Sequence, residues 1–338
     1  MGLRMPTPPP PAPAATRLII RAIRDEDARL VQQHPLLAKD DLVALGLWAA
    51  AWVGIAAMVA GALGPGLPLP LAAIGVALCL STLHELEHDL IHELYWADRP
   101  WLGHLVLFSI WIAKGSLDPW SRGRIHRWHH QVSGQDDDIE ERLIGLGLPW
   151  GPRRLLLTLI PAASGLVVPD IRRAVRARVA QGAPRADLRA PRGWAIVQGI
   201  TALMLGLPLF GLIAWLVGAP WAPALLWLYV IPNMMRHTAI VVMSSNSHYT
   251  GIPRSELALQ NQILDHWAFW PLQALCWNFG ATHVLHHFVV KQPFWRRTLA
   301  FRRLRPTLVA NGMPHNDLGS FARANQRGPA LTAGRPSA

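Results

Sequence analysis

The sequence predicts an all-α integral membrane protein: two transmembrane helical hairpins, hence four crossings, with short interfacial helices and a histidine-rich cap on the cytoplasmic side. Three observations carry that expectation. The 338 residues are 51% hydrophobic and 16% charged, whereas a soluble domain carries about 25% charged residues. Two stretches of more than forty residues hold no charge at all. Ten of the 15 histidines fall in four clusters, all outside those stretches.

Composition excludes several classes. A mean hydropathy of +0.21 with 16 Trp against 3 Tyr argues against a disordered chain and against an ordinary soluble enzyme. The two cysteines, Cys79 and Cys276, both sit in apolar runs, which leaves no disulfide framework and no cysteine-based metal cluster. The net charge of +11 comes from 29 Arg and 3 Lys. Such a balance suits nucleic acid or an anionic membrane surface, and the apolar content selects the membrane, with no nucleic-acid partner.

Residues 1–16 are read as a disordered Pro/Ala tail, dominated by the run Pro6 to Ala15. They are not a signal peptide, because the first long apolar run starts beyond residue 40, after a charged segment. Between Asp41 and His84 lie 42 residues without a charged side chain, broken near the middle by Gly61 to Pro70. At about 1.5 Å per helical residue this is roughly twice the ~30 Å of hydrocarbon in a bilayer, so a hairpin of two spans is expected. A second run of 43 residues, Gly193 to Met235, is broken at Gly218 to Pro223 and gives the second hairpin. A buried helix pair in a globular core is the competing explanation for each, but so long a charge-free stretch is rare in water-soluble folds.

Three shorter apolar runs, Trp101 to Ala113, Leu155 to Val168 and Trp267 to Gly280, are too short to span and are expected to be interfacial or re-entrant. Trp101, Trp111, Trp267, Trp270 and Trp277 would suit the headgroup level. Both hairpin turns lack Lys and Arg. The N-terminal segment (Arg17, Arg21, Arg24, Arg29), the middle loop (Arg172, Arg173, Arg176, Arg178, Arg185, Arg189, Arg192) and the chain after Lys291 are basic. The positive-inside rule places all three, both termini and the histidine clusters in the cytoplasm. Residues 17–310 are expected to form one domain and 311–338 a flexible basic tail.

The clusters are His84-Glu-Leu-Glu-His88-Asp-Leu-Ile-His92, His126-Arg-Trp-His129-His130, Asn246-Ser-His248 and His283-Val-Leu-His286-His287. Positions i, i+3 and i+4 share one stripe of a helix, so each cluster points several imidazoles at one place. Imidazole suits Zn, Cu, Fe and Ni, and ten histidines suggest two ions. A lone histidine is more often a surface or core residue than a ligand. His34, His104, His237, His266 and His315 are therefore read as structural, with His266, after Asp265, the first among them to be checked.

At these residues the chain resembles the membrane fatty acid desaturase superfamily, which also holds acyl and alkane hydroxylases and carotenoid oxygenases. The resemblance covers roughly residues 80 to 297. His88-Asp-Leu-Ile-His92, followed by Glu93-Leu94-Tyr95, resembles the first histidine box. His126-Arg-Trp-His129-His130 resembles the second, with Gly134 and Asp136-Asp137-Asp138 similar to the acidic follow-on. His283-Val-Leu-His286-His287 resembles the third. Asn246 and His248 occupy the stretch of a further Asn/His ligand pair, at shorter spacing than N-x-x-x-H. His84 is extra, so either His84/His88 or His88/His92 could form the first box. The resemblance implies two iron ions, O2 as co-substrate and an external electron donor. The implied ligands are His84, His88, His92, His126, His129, His130, His248, His283, His286 and His287, supported behind by Asn246, Asp89 and Asp136. No catalytic residue beyond the metal centre is expected.

An unactivated C–H bond resists acid, base and nucleophile, so the expected activity is O2-dependent oxidation of a fatty acyl chain, first of all desaturation. Hydroxylation of acyl or alkyl chains, or oxidative decarboxylation to a terminal alkene, would use the same centre; placement of the substrate carbon decides among them. Two readings from other classes compete. His84-Glu85-Leu86-Glu87-His88 spells H-E-x-x-H of an intramembrane zinc metalloprotease, which would leave most clustered histidines without a role. A metal transporter would place its ligands at the bilayer midplane rather than at helix ends. There is no haem-binding or cysteine-quartet signature of a fused redox domain. Electrons are therefore expected from a separate acidic protein of ferredoxin, rubredoxin or cytochrome type, docking on the basic face.

Overall fold

The computed structural model describes residues 14–64, 66–186, 194–253 and 256–328. In chain order the helices are α1 (Ala14–Gln33), α2 (Asp40–Leu63), α3 (Leu69–Ile91), α4 (Pro100–Lys114), α5 (Pro119–Val132), α6 (Ile139–Leu143), α7 (Pro152–Leu159), α8 (Val168–Ala180) and α9 (Ala195–Leu216). There follow α10 (Ala222–Ser247), α11 (Leu257–Gln260), α12 (Trp270–Ala274), α13 (Phe279–Phe288), α14 (Phe294–Ala310) and α15 (Gly319–Ala322). No strand occurs among the described residues; His248 and Asn261 make an isolated antiparallel bridge.

The two charge-free stretches become two helical hairpins. Helices α2, α3, α9 and α10 have 24, 23, 22 and 26 residues and are apolar enough to cross a membrane. They differ in what surrounds them. Only 11% of the apolar window of α2 and of α9 is buried, against 56% for α3 and 39% for α10. The outer pair presents Val53, Ile196, Leu203 and Val217 outward, as lipid would require. The inner pair, α3 and α10, pack on each other and carry the polar residues inward.

Helix α10 carries a π-turn at Leu226–Val230 after its first turn, followed by Pro232. Proline lacks the N–H of a regular ladder, and a widened turn next to it bends the axis. Both inner helices outrun the charge-free stretches that announced them. The charge-free run of α10 ends at Met235, and the helix continues through Arg236 and His237 to Ser247.

The short apolar runs lie in α4, in α7 with the 3-10 turn Pro161–Val167, and across α12. Trp101, Trp267 and Trp270 are exposed, as expected of interfacial rings. Trp111 is instead buried, donating its indole N–H to the Ser116 carbonyl at 3.0 Å. Trp277 is half-buried and donates to Thr82 Oγ1 at 2.9 Å.

The described residues nearest the two ends pack against the rest of the chain. Helix α1 begins at Ala14, inside the stretch expected to be disordered, and buries Thr16, Ile19, Ile23 and Leu30. Ile19, Ile23 and Leu30 form one core with Leu285, Leu304 and Leu308, because α1 lies along α14. The segment after α14 is held too. Met313, Ser320 and Asn325 are buried, and Asn325 Nδ2 donates to the Ser245 carbonyl at 2.6 Å. Residues 1–13 and 329–338, Arg189 and Arg192 lie outside the described residues.

Candidate metal centre

Four distant segments deliver the imidazoles. His88 lies in the last turn of α3 and His92 caps that helix. Helix α5 brings His126, His129 and His130. Its start is fixed by Asp118, which accepts from the Ser121 N–H at 2.7 Å, and by Pro119 in the first turn. His248 ends α10, where the bridge to Asn261 holds its backbone. Helix α13 brings His283, His286 and His287.

These side chains converge as two groups, each with its ring nitrogens within 4.8 Å of one another. The first is His88, His92, His126 and His286; the second is His129, His248, His283 and His287. Nε2 of His286 lies 3.0 Å from that of His92. In the second group, Nε2 of His283 is 2.9 Å from that of His287 and 3.2 Å from that of His248. His130 sits at the edge of the first group, its Nε2 2.9 Å from His286 Nε2 and 3.1 Å from His126 Nε2.

Such spacing fits bound cations. Imidazoles coordinating at about 2.0–2.1 Å and at right or tetrahedral angles bring their nitrogens to roughly 2.9–3.4 Å of one another, the range seen here. His88 supplies an independent sign. It is 1% exposed, and neither ring nitrogen has a hydrogen-bond partner. Buried polar atoms left unpaired cost about 1–3 kcal/mol each, a cost that coordination removes.

The far nitrogens set the tautomers. His129 Nδ1 lies 2.9 Å from Asp138 Oδ2, and His126 Nδ1 meets Glu140. A carboxylate accepts only, so each Nδ1 carries a proton, and in the neutral ring Nε2 presents a lone pair to the group. His286 differs. Arg297 donates to its Nδ1 at 2.8 Å, which leaves the proton of the neutral ring on Nε2. That ring must exchange its partner before Nε2 can ligate.

Electrostatics agree with two different groups. Burial first, and neighbouring imidazoles next, hold His126, His130, His248, His283, His286 and His287 well below the ordinary histidine value. His92 is driven down to about 2 chiefly by burial. Burial also works against the charged form of His129, but Asp138 outweighs it and raises this ring to about 9. Glu141 is pushed up to about 8 by burial; it accepts from Ser244 Oγ at 2.7 Å and lies 3.8 Å from His248 Nε2.

The other expected site residues are placed as follows. His84 belongs to neither group. Its Nδ1 lies 3.2 Å from Arg236 Nη1, and because guanidinium only donates, this ring accepts. The H-E-x-x-H pair His84/His88 therefore does not converge on one ion. Asp89 is fully buried and accepts from Tyr95 at 2.6 Å, from the Phe294 N–H at 2.9 Å and from Arg297 at 3.1 Å. It braces the arginine behind His286. Asn246 turns from the histidines, its Oδ1 accepting from Arg154 and Asn325 at 3.1 and 3.3 Å. Asp136 is exposed and paired with Arg142; it touches no histidine. Asp89 Oδ1 does lie 3.6 Å from His88 Nδ1; in the acidic run after the second cluster, the carboxylates that touch a histidine are Asp138, Glu140 and Glu141. The resemblance to the acidic follow-on covers only Asp136-Asp137-Asp138; Glu140 and Glu141, the next acidic residues of the same run, lie beyond it. Among the remaining histidines, His266 caps the turn Trp267–Phe269 and His315 pairs with Asp265 at 2.6 Å.

A cavity of about 360 Å³ opens against the groups. His88, His126 and His283 give it a histidine wall, and Leu117, Leu157, Pro161, Leu205 and Ile240 line it with apolar surface beside Lys114, Arg122 and Arg236. It lies beside the inner spans α3 and α10.

A family model described as fatty acid desaturase matches residues 64–319. No curated protein matches the chain. The match takes in all four histidine-bearing segments, both inner spans and the packed segment up to Gly319. With four apolar helices and a histidine cap built at their ends, the chain belongs to the fatty acid desaturase family.

Proposed function

We propose that this chain is a membrane-bound, non-haem di-iron oxidase that introduces a double bond into fatty acyl chains at the expense of O2. The observation supporting this most directly is the contact between two four-histidine groups and one largely apolar cavity. His88, His92, His126, His130 and His286 would hold one ion, and His129, His248, His283 and His287 the other. Ferrous ions bound there supply O2 activation strong enough for an unactivated C–H bond. The residues of the chain do the rest. Asp138 and Glu140 hold the rings of His129 and His126 in the ligating tautomer. The apolar wall from Leu117 to Ile240 takes an acyl chain out of lipid, excludes water and fixes which carbon faces the histidines.

We place the histidine cap and both termini on the cytoplasmic side, on the strength of the arginines in α1, α8 and α14 and their absence from the described residues of the hairpin turns. A separate acidic electron carrier would dock on that basic face. The test is mass spectrometry of the lipids of cells expressing the protein beside cells expressing His286→Ala, with iron measured on both purified proteins. New unsaturated chains and two irons per chain, both lost in the variant, are the expected result. One zinc per chain and unchanged lipids would overturn the reading.

A further inference from the structure

Arg236 is a buried guanidinium with, among the described residues, no carboxylate in ion-pair contact; Glu87 acts on it only at longer range. It lies on the spanning helix α10, is 3% exposed and borders the cavity. Its single hydrogen-bond partner is His84 Nδ1, a neutral acceptor, and its Nε is buried without a partner. Glu140 and Glu141, which line the cavity together with Lys114 and Arg122, and Glu87 beside those two cations are engaged elsewhere. Glu87 gives one oxygen to Lys114 at 2.6 Å and the other to Arg122 at 2.7 Å. Glu140 meets His126, and Glu141 is held by Ser244. Burying a charge away from water is costly unless it is paired, and ionisable residues in spans mark substrate paths.

We propose that Arg236 binds the carboxylate of a free fatty acid, so that the head group enters the cavity and the chain runs along its apolar side. Arginine presents a planar fork that matches a carboxylate. His84 holds one edge of that fork, which gives this histidine a role outside the metal groups. Arg236 stands against His84, and His84 is one helical turn, about 5.4 Å, from His88. A head group on Arg236 therefore leaves the carbons a few bonds away beside the histidine wall, and oxidation falls near the carboxyl end. This proposal rests on the desaturase reading for its chemistry but not for its binding site.

The test measures binding by calorimetry on the iron-loaded, detergent-purified protein without O2, with dodecanoic acid and methyl dodecanoate as probes. Wild type is expected to bind the acid at least about tenfold more tightly than the ester, the scale of a charge-assisted pair. Arg236→Gln should lose that preference while keeping its iron, and Arg236→Lys should keep part of it. Equal binding of acid and ester by wild type overturns the proposal whether or not the variants fold, and so does an undiminished preference in Arg236→Gln. Tighter binding of a dodecanoyl thioester of coenzyme A than of the acid overturns it as well. The desaturase reading fails on different grounds, namely absence of iron or unchanged lipids with the acid preference intact.

Discussion

Asp138 joins His129 to the start of the next helix: its Oδ2 lies 2.9 Å from His129 Nδ1 and accepts the Gly134 N–H at 2.9 Å, while its Oδ1 caps α6 at the Glu141 N–H. One fully buried carboxylate thus fixes a ring tautomer and the loop that follows the second histidine cluster. Asp138→Asn keeps the shape but removes the charge. Metal affinity of the second group should fall about 10–100-fold, as for other partners behind metal-bound histidines. Asp136→Asn, on an exposed side chain that touches no histidine, should bind metal as wild type does. Metal titration followed by elemental analysis distinguishes them, and equal losses in both variants would refute the assignment.

His84 and His88 are one turn apart on α3 and point to different partners. His88→Ala removes a member of the first group and should lower the metal content by about one ion per chain. His84→Ala removes only the neighbour of Arg236 and should retain both. Loss of metal in His84→Ala, with the protein still folded, would mean that the first group extends one turn deeper than its geometry shows.

The spans and histidine clusters were legible because both are written in local pattern. A charge-free run of forty residues has few soluble solutions, and i, i+3, i+4 spacing fixes a helix face. What local pattern does not carry is the direction a side chain takes once three helices meet. His84, His88 and His92 share a stripe on α3, yet Arg236, 152 residues away, takes His84 out of the set. Asp136, Asp137 and Asp138 look alike in sequence; only the folded loop shows that Asp138 reaches His129 while Asp136 stays exposed. Helix α1 went unread for a related reason, since its apolar face is short and finds its partner in α14, at the far end of the chain.

The two groups should take up metal with different pH dependence. His129 has its pKa raised to about 9 against an unfolded value near 6.5. In the metal-free protein its protonated form therefore contributes stability that is fully present below about pH 6.5 and is lost as pH rises through about 9. Metal must displace that proton, so affinity at the second group should climb between pH 6.5 and 9 and level off above. The first group, whose rings outside the span are held neutral by burial, should bind nearly independently of pH above 6.5. Co(II) titrations at pH 6.5, 7.5 and 8.5 read both groups, and parallel slopes would contradict this account.

Gly134 has a φ of +72°, and a Cβ placed there would stand 2.1 Å from the Tyr249 carbonyl oxygen. Its own carbonyl accepts the Gly251 N–H at 2.9 Å. Gly134→Ala must therefore strain the backbone and part the segments that carry His129, His130 and His248. A loss of at least about 2 kcal/mol is expected, read as a lower unfolding midpoint in detergent together with weaker metal binding. A midpoint unchanged from wild type would show that the turn can open without cost.

Sidedness follows from which ends of the spans carry charge. Helices α3 and α10 run into the histidine groups, α2 starts beside the paired Asp40 and Arg296 at 3.2 Å, and the turns at Gly64 and Gly218 lie at the opposite ends. Arginines of α8 and α14 share the histidine side, and moving such residues across a bilayer is strongly disfavoured. Reporter fusions at residues 120 and 290 should both read as cytoplasmic, and a fusion in the turn at 218 as external. Opposite readings at 120 and 290 cannot be reconciled with an intact centre, because His130 and His286, 2.9 Å apart, would then have to meet across the lipid.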